Sequence, residues 1–182
     1  MTSNHLLQPD LVLGGSILQL TPQLVRSHGL KGLILDVDDT LVPMSAASVS
    51  TELHQWIAQI RPVVSLWLVS NNLNWIRIRS IAESLDLPFM MGAAKPSRRK
   101  LRQAVEQMAL PLEEVAMVGD RLFTDVLAGN RLGMFTILVE PMENPGTRDR
   151  LFPVRSFEVW CSQALGACLT PSTGNVTNLD KR

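Results

Sequence analysis

Three carboxylates end an apolar run in the stretch Leu33-Ile34-Leu35-Asp36-Val37-Asp38-Asp39-Thr40-Leu41. The apolar run predicts a buried strand of a parallel sheet that ends at Asp36, and ligands bind where such strands end. Carboxylates this close together repel one another, so the cluster indicates either a cation site or an Asp-rich turn that caps a helix. In the first interpretation, the Asp36-x-Asp38 spacing lets one carboxylate attack as a nucleophile while the other transfers protons.

Length and composition favour one globular domain. The chain has 182 residues, and its 17 basic residues balance its 17 acidic residues. Such a length can bury a core, and a balanced charge gives no reason to expect nucleic acid as a partner. Cys161 and Cys168 are typical of reduced thiols and receive no role. The sequence contains no apolar run of ~20 residues that could span a bilayer. We expect a cytoplasmic protein without a signal peptide.

Strands and helices alternate along the chain. Further strands are predicted at residues 63–69, 89–91, 114–118 and 135–139. Amphipathic stretches predict helices at residues 48–60, 73–85, 97–108 and 125–132. The alternation predicts an α/β three-layer sandwich with a five-stranded parallel sheet and right-handed crossovers.

Four segments are expected along the chain. They are an N-terminal helical segment at 1–30, a core at 31–140, a C-terminal helical extension at 141–169 and a disordered tail at 170–182. The first segment contains an apolar stretch, 11–24, predicted as one or two short helices. This stretch either packs on the core or lies on a membrane, and packing is favoured because few basic residues accompany it.

Polar residues also follow the next two predicted strands. Ser70 and Asn71 follow the second strand, where a hydroxyl and amide groups can bind an anion or can cap the next helix. Lys95 precedes a proline, which favours an extended backbone there. Its ammonium group could reach a phosphate or remain solvated on the surface.

A second pair of aspartates follows the fourth predicted strand. Asp120 ends that strand as Asp36 ends its own, and Asp125 lies in the first turn of the next predicted helix. Two strand-end aspartates on neighbouring strands form an oxygen site for a hard cation. Mg²⁺ is the usual cation when phosphate is also a ligand.

The order of these motifs resembles that of the haloacid dehalogenase (HAD) phosphatase superfamily over residues 31–139. The motifs are Asp36-x-Asp38-x-Thr40, Ser70-Asn71, Lys95-Pro96 and Gly119-Asp120-x-x-x-x-Asp125. Each motif alone is weak, but the ordered set at strand ends is specific. The stretches 31–36 and 118–133 look closer still to the YqeG-type subfamily, class IIIA. Its members include phosphatidylglycerophosphate phosphatases, and that substrate is inherited by analogy only.

The resemblance implies a role for each residue that would meet the substrate. Asp36 would be the nucleophile that takes the phosphoryl group. Asp38 would protonate the leaving oxygen and then activate water. Ser70 and the Asn71 backbone would hold the phosphoryl oxygens, and Lys95 would neutralise both the phosphate and Asp36.

The resemblance also implies a metal site. Mg²⁺ would be held by Asp36, the backbone carbonyl oxygen of Asp38 and Asp120, with Asp125 behind these ligands and Thr40 supporting the first motif loop. Hydrolysis of a phosphate monoester is among the slowest uncatalysed reactions, and positioned cations stabilise the spread negative charge of its transition state.

Members of this superfamily carry cap domains in two places, and both are short in this chain. Residues 41–69 have room for a loop, a helix and a strand, and residues 71–94 for a helix and a short strand. We therefore expect an open site without a cap domain. An open site suits a macromolecule or a lipid headgroup at a membrane surface.

Two groups of residues bear on a membrane contact. Trp75, Arg77 and Arg79 could present an aromatic and basic edge beside the site, although a core position is favoured for Trp75. The run Arg98-Arg99-Lys100 opposes a helix dipole, which indicates either a nearby anion or a solvated basic turn.

Three hypotheses follow for the function. The first is a Mg²⁺-dependent phosphatase that converts phosphatidylglycerophosphate to phosphatidylglycerol, with peripheral contact on the inner face of a membrane. The second keeps the chemistry but takes a soluble nucleotide or sugar phosphate. The third is a non-catalytic binding protein on the same fold, against which the complete motifs argue. The sequence leaves the oligomeric state open.

Overall fold

The protein is described by a computed structural model at residues 6–46, 48–142 and 169–171. Its strands are β1 (Leu11–Val12), β2 (Gly32–Leu35), β3 (Ser65–Val69), β4 (Phe89–Met90), β5 (Val115–Gly119) and β6 (Phe135–Leu138). Its α-helices are α1 (Pro22–Ser27), α2 (Thr51–Ile60), α3 (Trp75–Leu85), α4 (Arg99–Met108) and α5 (Leu127–Leu132). A π-helical turn, Leu122–Val126, leads into α5, and short 3₁₀ turns lie at Ile17–Gln19 and Leu112–Glu114.

The six strands form one parallel sheet in the order β1-β6-β5-β2-β3-β4. β2 lies in the middle, where Leu33 pairs with Leu66 of β3 on one side and with Ala116 of β5 on the other. All four residues of β2 are buried. The apolar run that precedes Asp36 therefore forms a central strand, as its composition predicts.

Helices cover both faces of the sheet. Leu33 and Leu35 belong to a core that contains apolar residues of α2 and α3, whereas Ile34 packs with residues of α4 and α5. Successive side chains of a strand point to opposite faces, so the two cores lie on the two sides of the sheet. The predicted three-layer α/β sandwich is confirmed.

The sheet has six strands, and the prediction of five is wrong by one edge strand. β1 pairs with β6 through Leu11 and Val12, inside the stretch predicted to be helical, and only the rest of that stretch contains a 3₁₀ turn and α1. Two residues are too few to show an alternating pattern. Asp10 fixes the strand, since its carboxylate accepts a hydrogen bond of 2.8 Å from Thr136 N.

The two segments that could hold a cap are short in the described residues. Between β2 and β3 they form loops and α2, and between β3 and β4 they form loops and α3. None of the described helices combines the length and hydropathy that a bilayer crossing requires. The four-segment division of the chain stays a prediction. Most of the predicted extension at 141–169 and of the tail at 170–182 lies outside the described residues.

Candidate active site

Three of the predicted site residues stand at the ends of neighbouring strands. Asp36 follows β2, Ser70 follows β3 and Asp120 follows β5, and all three side chains are buried. Asp36 N donates to Val118 O over 2.9 Å, which continues the sheet by one residue beyond β2. The backbone that carries the Asp36 carboxylate is therefore held by the sheet itself.

Four buried charged residues, Asp36, Lys95, Asp120 and Asp125, form what we call the inner cluster. Lys95 Nζ donates to Asp36 Oδ1 over 2.6 Å and to the backbone oxygen of Val69 over 3.0 Å. It also forms a buried ion pair with Asp125 Oδ1 at 2.7 Å. One ammonium group thus contacts two of the three carboxylates of the cluster.

The backbone of Lys95 is held by the side chain of Asn71. Asn71 Nδ2 donates to Lys95 O over 3.1 Å, and Asn71 Oδ1 accepts from Lys95 N over 2.7 Å. This clamp connects the loop after β3 to the loop after β4. It gives the Asn71 side chain a structural task that the sequence did not reveal, because the two residues are 24 positions apart.

Thr40 and Gly119 set the positions of the remaining carboxylates. Thr40 Oγ1 donates to Asp120 Oδ1 over 3.0 Å and accepts from Asp120 N over 3.1 Å. A Cβ atom at Gly119 would lie 2.3 Å from Asp125 Oδ2, so only glycine leaves room for the Asp125 carboxylate here. Asp125 belongs to the π-helical turn, which begins at Leu122, three residues before the predicted start of the helix at residue 125.

Burial gives the inner cluster unusual proton affinities. Burial raises the pKa of Asp36 to about 7 against the pull of Lys95, and the charge of Asp125 adds to the rise. The pKa of Asp120 is raised to about 8, first by burial and then by the charges of Asp125 and Asp36. Burial alone would lower the pKa of Lys95, but the two neighbouring carboxylates raise it above its ordinary value. The carboxylates therefore resist ionisation unless further positive charge is present.

The inner cluster fits a metal ion. Asp36, Asp120 and Asp125 each offer a carboxylate oxygen, and these atoms lie within 4.8 Å of one another. Hard cations such as Mg²⁺ prefer oxygen ligands, and a divalent charge would offset the excess of carboxylates. Asp125 was predicted to lie behind the ligands, whereas its oxygen belongs to this group.

A second group, Asp38, Ser70, Asn72 and Arg77, forms what we call the outer cluster. Arg77 Nε donates to Asp38 Oδ1 over 3.1 Å. Asn72 Nδ2 and Ser70 Oγ donate to Asp38 Oδ2 over 3.0 and 3.3 Å. The Asp38 side chain is 17% exposed. It is oriented by three donors and is still within reach of solvent.

Arg77 also holds the loop that follows Thr40. Its guanidinium group donates to the backbone oxygens of Pro43, at 3.0 Å, and of Ala46. The sequence suggested that Arg77 belongs to an exposed edge, but in the structure its side chain is largely buried and contacts Asp38. The available signal was its place in the first turn of α3, since a helix that follows a parallel strand starts at the carboxyl edge of the sheet.

The remaining basic and aromatic candidates lie outside both clusters. Trp75 is half exposed, with its ring 5.4 Å from the Phe89 ring, so the core position favoured for it is wrong. The ring lies against Phe89 of β4, which is an edge strand of the sheet. Arg98 and Arg99 are exposed, and Arg98 Nη1 donates to Arg131 O over 3.0 Å.

Sequence comparison places these residues in a known family. Residues 92–143 match the HAD-hydrolase-like family model. The chain is 37% identical over 128 residues to the probable phosphatase YqeG of Bacillus subtilis (strain 168), which covers 70% of this chain and 74% of that relative. It is 28% identical over 151 residues to the chloroplastic phosphatidylglycerophosphate phosphatase 1 of Chlamydomonas reinhardtii, which covers 78% of this chain and 54% of that relative.

A solved structure supports the fold. A HAD-like family hydrolase from Porphyromonas gingivalis superposes with a TM-score of 0.50 at 14% identity, over 68% of this chain and 98% of that chain. The resemblance drawn from the four motifs is confirmed by the Bacillus relative, since the shared identity extends over most of both proteins. The chain belongs to the HAD-like hydrolases, and within them to the YqeG-type phosphatases, which are hydrolases of phosphoric monoesters.

Proposed function

We propose that this phosphatase acts through an aspartyl-phosphate on Asp36, requires Mg²⁺, and converts phosphatidylglycerophosphate to phosphatidylglycerol. The observation that carries the proposal is the meeting of two different carboxylate environments, those of Asp36 and Asp38, at one sheet edge. One is buried against an ammonium group, and the other is partly exposed with hydrogen-bond donors around it.

Asp36 is the residue that suits the nucleophilic role. Its carboxylate attacks phosphorus, the bond from phosphorus to the alcohol oxygen breaks, and the phosphoryl group remains on Asp36. The ammonium group of Lys95, 2.6 Å from Asp36 Oδ1, fixes one oxygen and favours the ionised carboxylate. Ser70 and the backbone of Asn71 hold the phosphoryl oxygens in this proposal.

Asp38 suits proton transfer. It gives a proton to the leaving alcohol oxygen in the first step and takes one from the attacking water in the second, which releases phosphate and restores Asp36. The donors of Arg77, Asn72 and Ser70 keep the Asp38 carboxylate in one orientation at the opening of the site. A leaving group and a water molecule can reach it there.

The metal would be held by Asp36, the backbone oxygen of Asp38 and Asp120. The Asp125 oxygen lies within the same group and is available to it or to Lys95. When bound, Mg²⁺ supplies positive charge to the phosphoryl oxygens as their negative charge spreads in the transition state. Thr40 keeps the Asp120 carboxylate in place through two hydrogen bonds.

Two observations favour a lipid substrate. The segments that could form a cap hold only α2 and α3 in the described residues, so a large substrate can approach the sheet edge. The Chlamydomonas relative is described as a phosphatidylglycerophosphate phosphatase. Peripheral contact with a membrane belongs to this proposal, whereas a soluble nucleotide or sugar phosphate is the alternative substrate.

The test is a turnover assay on phosphatidylglycerophosphate in mixed micelles beside a panel of nucleotide and sugar phosphates. Each substrate is measured with Mg²⁺ and with EDTA, and an Asp36→Asn preparation gives the background. We expect the highest kcat/KM for the lipid and no turnover in EDTA. A higher kcat/KM for a soluble phosphate would select the alternative. Full activity in EDTA would contradict the proposed requirement for Mg²⁺.

A further inference from the structure

We propose that Met44, Leu73, Trp75 and Ile76 form a docking patch that seats the opening of the active site on an anionic lipid bilayer. The assignment rests on the proposed function only for the substrate that the bilayer supplies. Its physical basis is a concentration of exposed apolar side chains beside the outer cluster.

These residues are unusual in their exposure. Four of the five large apolar side chains that are exposed in the described residues belong to the patch, with exposed fractions of 80% for Leu73, 80% for Ile76, 57% for Met44 and 51% for Trp75. The fifth is Leu6, at 40%. Single exposed apolar residues are common, but a contiguous patch marks a surface that binds something.

The patch borders the active site. Leu73 directly follows Asn72, which donates to Asp38, and Ile76 directly precedes Arg77, which also donates to Asp38. Met44 lies on the facing loop, whose backbone Arg77 holds on both sides of Met44, at Pro43 and Ala46. A surface that covers these side chains therefore also covers the approach to Asp38.

Charge favours a bilayer as the occupant. Neither α3 nor α4 has an acidic residue in its first turn, and both helices begin at the edge of the sheet that carries the site. Arg98 and Arg99 are exposed at the start of α4. Exposed tryptophan and branched apolar residues, with exposed arginines at the same edge of the sheet, suit an anionic lipid interface, since the rings and chains enter the acyl boundary while the cations meet the headgroups.

One member of the patch, Trp75, is held by contacts with its neighbours. The Trp75 ring rests on Phe89, and the Arg79 guanidinium lies 5.9 Å from the centre of the Trp75 ring. Arg79 is also paired with Glu83 at 2.7 Å, so Trp75 is supported from the helix side. The neighbouring Leu73 and Ile76 side chains are each 80% exposed.

The experiment measures cosedimentation of the full chain with vesicles of equimolar phosphatidylglycerol and phosphatidylcholine. A Leu73→Ser/Ile76→Ser double variant removes the two most exposed side chains, and Leu6→Ser is the matched control. We expect the double variant to partition to vesicles about tenfold less or weaker still, because each apolar side chain that leaves water contributes to binding. The control should bind as the parent does.

Two further readouts separate the patch from the catalytic machinery. Turnover of p-nitrophenyl phosphate should be the same in the double variant and the parent, whereas turnover of vesicle-borne phosphatidylglycerophosphate should fall with binding. Quenching of tryptophan fluorescence by brominated lipid should be present in the parent and lost in Trp75→Phe, which identifies the residue that enters the bilayer.

Several results would overturn the patch. They are a parent that does not bind these vesicles, a double variant that binds as the parent does, and a control that weakens equally. A parent that is dimeric in the absence of lipid and a double variant that is monomeric would assign the surface to a second copy instead. If the parent does not hydrolyse p-nitrophenyl phosphate, the proposed chemistry is contradicted. The docking patch is still tested in that case, because vesicle binding is measured separately.

Discussion

The inner and outer clusters lie at the same sheet edge and differ in the balance between carboxylates and the groups that neutralise or bind them. In the inner cluster one ammonium group stands among three buried carboxylates, so negative charge is in excess. In the outer cluster a single carboxylate, that of Asp38, receives hydrogen bonds from a guanidinium, an amide and a hydroxyl group. Asp38 is therefore fully partnered by the protein alone.

The difference indicates how each cluster should respond to change. The inner cluster requires a further cation, because burial and mutual repulsion make its carboxylates costly to ionise. The outer cluster is oriented without a metal, so its function should depend on the side chains that donate to Asp38. Changes in metal concentration and pH should affect mainly the inner cluster. Loss of a hydrogen-bond donor should affect mainly the outer cluster.

The largest effect is expected from Asp36→Asn. Turnover of p-nitrophenyl phosphate should fall roughly 10³-fold or more, since an amide cannot take the phosphoryl group. Melting in EDTA should occur at the same or a higher temperature, because one of the crowded carboxylates loses its charge. Asp39→Asn is the matched control, since asparagine can still accept the hydrogen bond from Met44 N and tolerates the positive φ of 62°. Activity of Asp36→Asn close to that of the parent would remove Asp36 from the nucleophilic role.

The next largest effect is expected from Arg77→Gln. Loss of the guanidinium frees Asp38 Oδ1 and the loop at Pro43 and Ala46, so kcat should fall by about 10–100-fold. Alkyl phosphates should lose more rate than p-nitrophenyl phosphate, because a good leaving group needs no proton from Asp38. Arg79→Gln on the same helix loses a surface pair with Glu83 and the contact with the Trp75 ring, neither of which reaches Asp38, and it should leave both rates unchanged. Equal losses for both leaving groups would mean that Arg77 does not act through Asp38.

The strand-end part of the site could be predicted from sequence, and the outer cluster could not. Asp36, Ser70 and Asp120 follow apolar runs, and parallel strands bring their ends to one edge whatever the loops do. The contacts of Asn72 and Arg77 with Asp38 depend on the direction in which α3 leaves the sheet. That direction is set by packing on the opposite side of the helix, which leaves no local pattern.

The same contrast holds for the fold. Long apolar runs predicted β2, β3, β5 and β6, which pair in parallel as neighbours in the sheet. β1 was not predicted because it has only two residues. It is held by hydrogen bonds between Asp10 and Thr136, which are 126 positions apart in the sequence. The exposure of Trp75 was not predicted, because its spacing from Ile78 and Ala82 places it on the buried side of α3, whereas its ring packs against Phe89 of the edge strand β4.

A smaller effect is expected when pH and metal are varied together. In the metal-free protein the pKa values of Asp36 and Asp120, about 7 and about 8, exceed the unfolded value of 3.8. The folded state then holds more protons than the unfolded chain, so this contribution to stability is full below pH 3.8 and is lost as pH rises through 7 and 8. Mg²⁺ should offset the loss, and its stabilising shift in Tm should be a few degrees larger near about pH 8 than near about pH 5.

Thermal melting with Mg²⁺ and with EDTA across this pH range measures the effect. Asp120→Asn should reduce the pH dependence, because one of the two groups with a raised pKa no longer titrates. A shift of equal size at both ends of the range would mean that the metal binds away from the inner cluster.

The smallest effect is expected from Asn72→Ala, which removes one of three donors from Asp38, together with the acceptor of the Asn74 N hydrogen bond, and keeps the charged donor. A single hydrogen bond contributes on the order of 1 kcal/mol, so kcat should fall only severalfold. Asn74→Ala is the matched control, because Asn74 caps α3 through Arg77 N and does not contact Asp38. The control should lower Tm more than it lowers kcat, and Asn72→Ala should do the reverse. If Asn72→Ala costs as much rate as Arg77→Gln, the donors do not act separately, and Asp38 is held by a network in which losing any member releases the carboxylate.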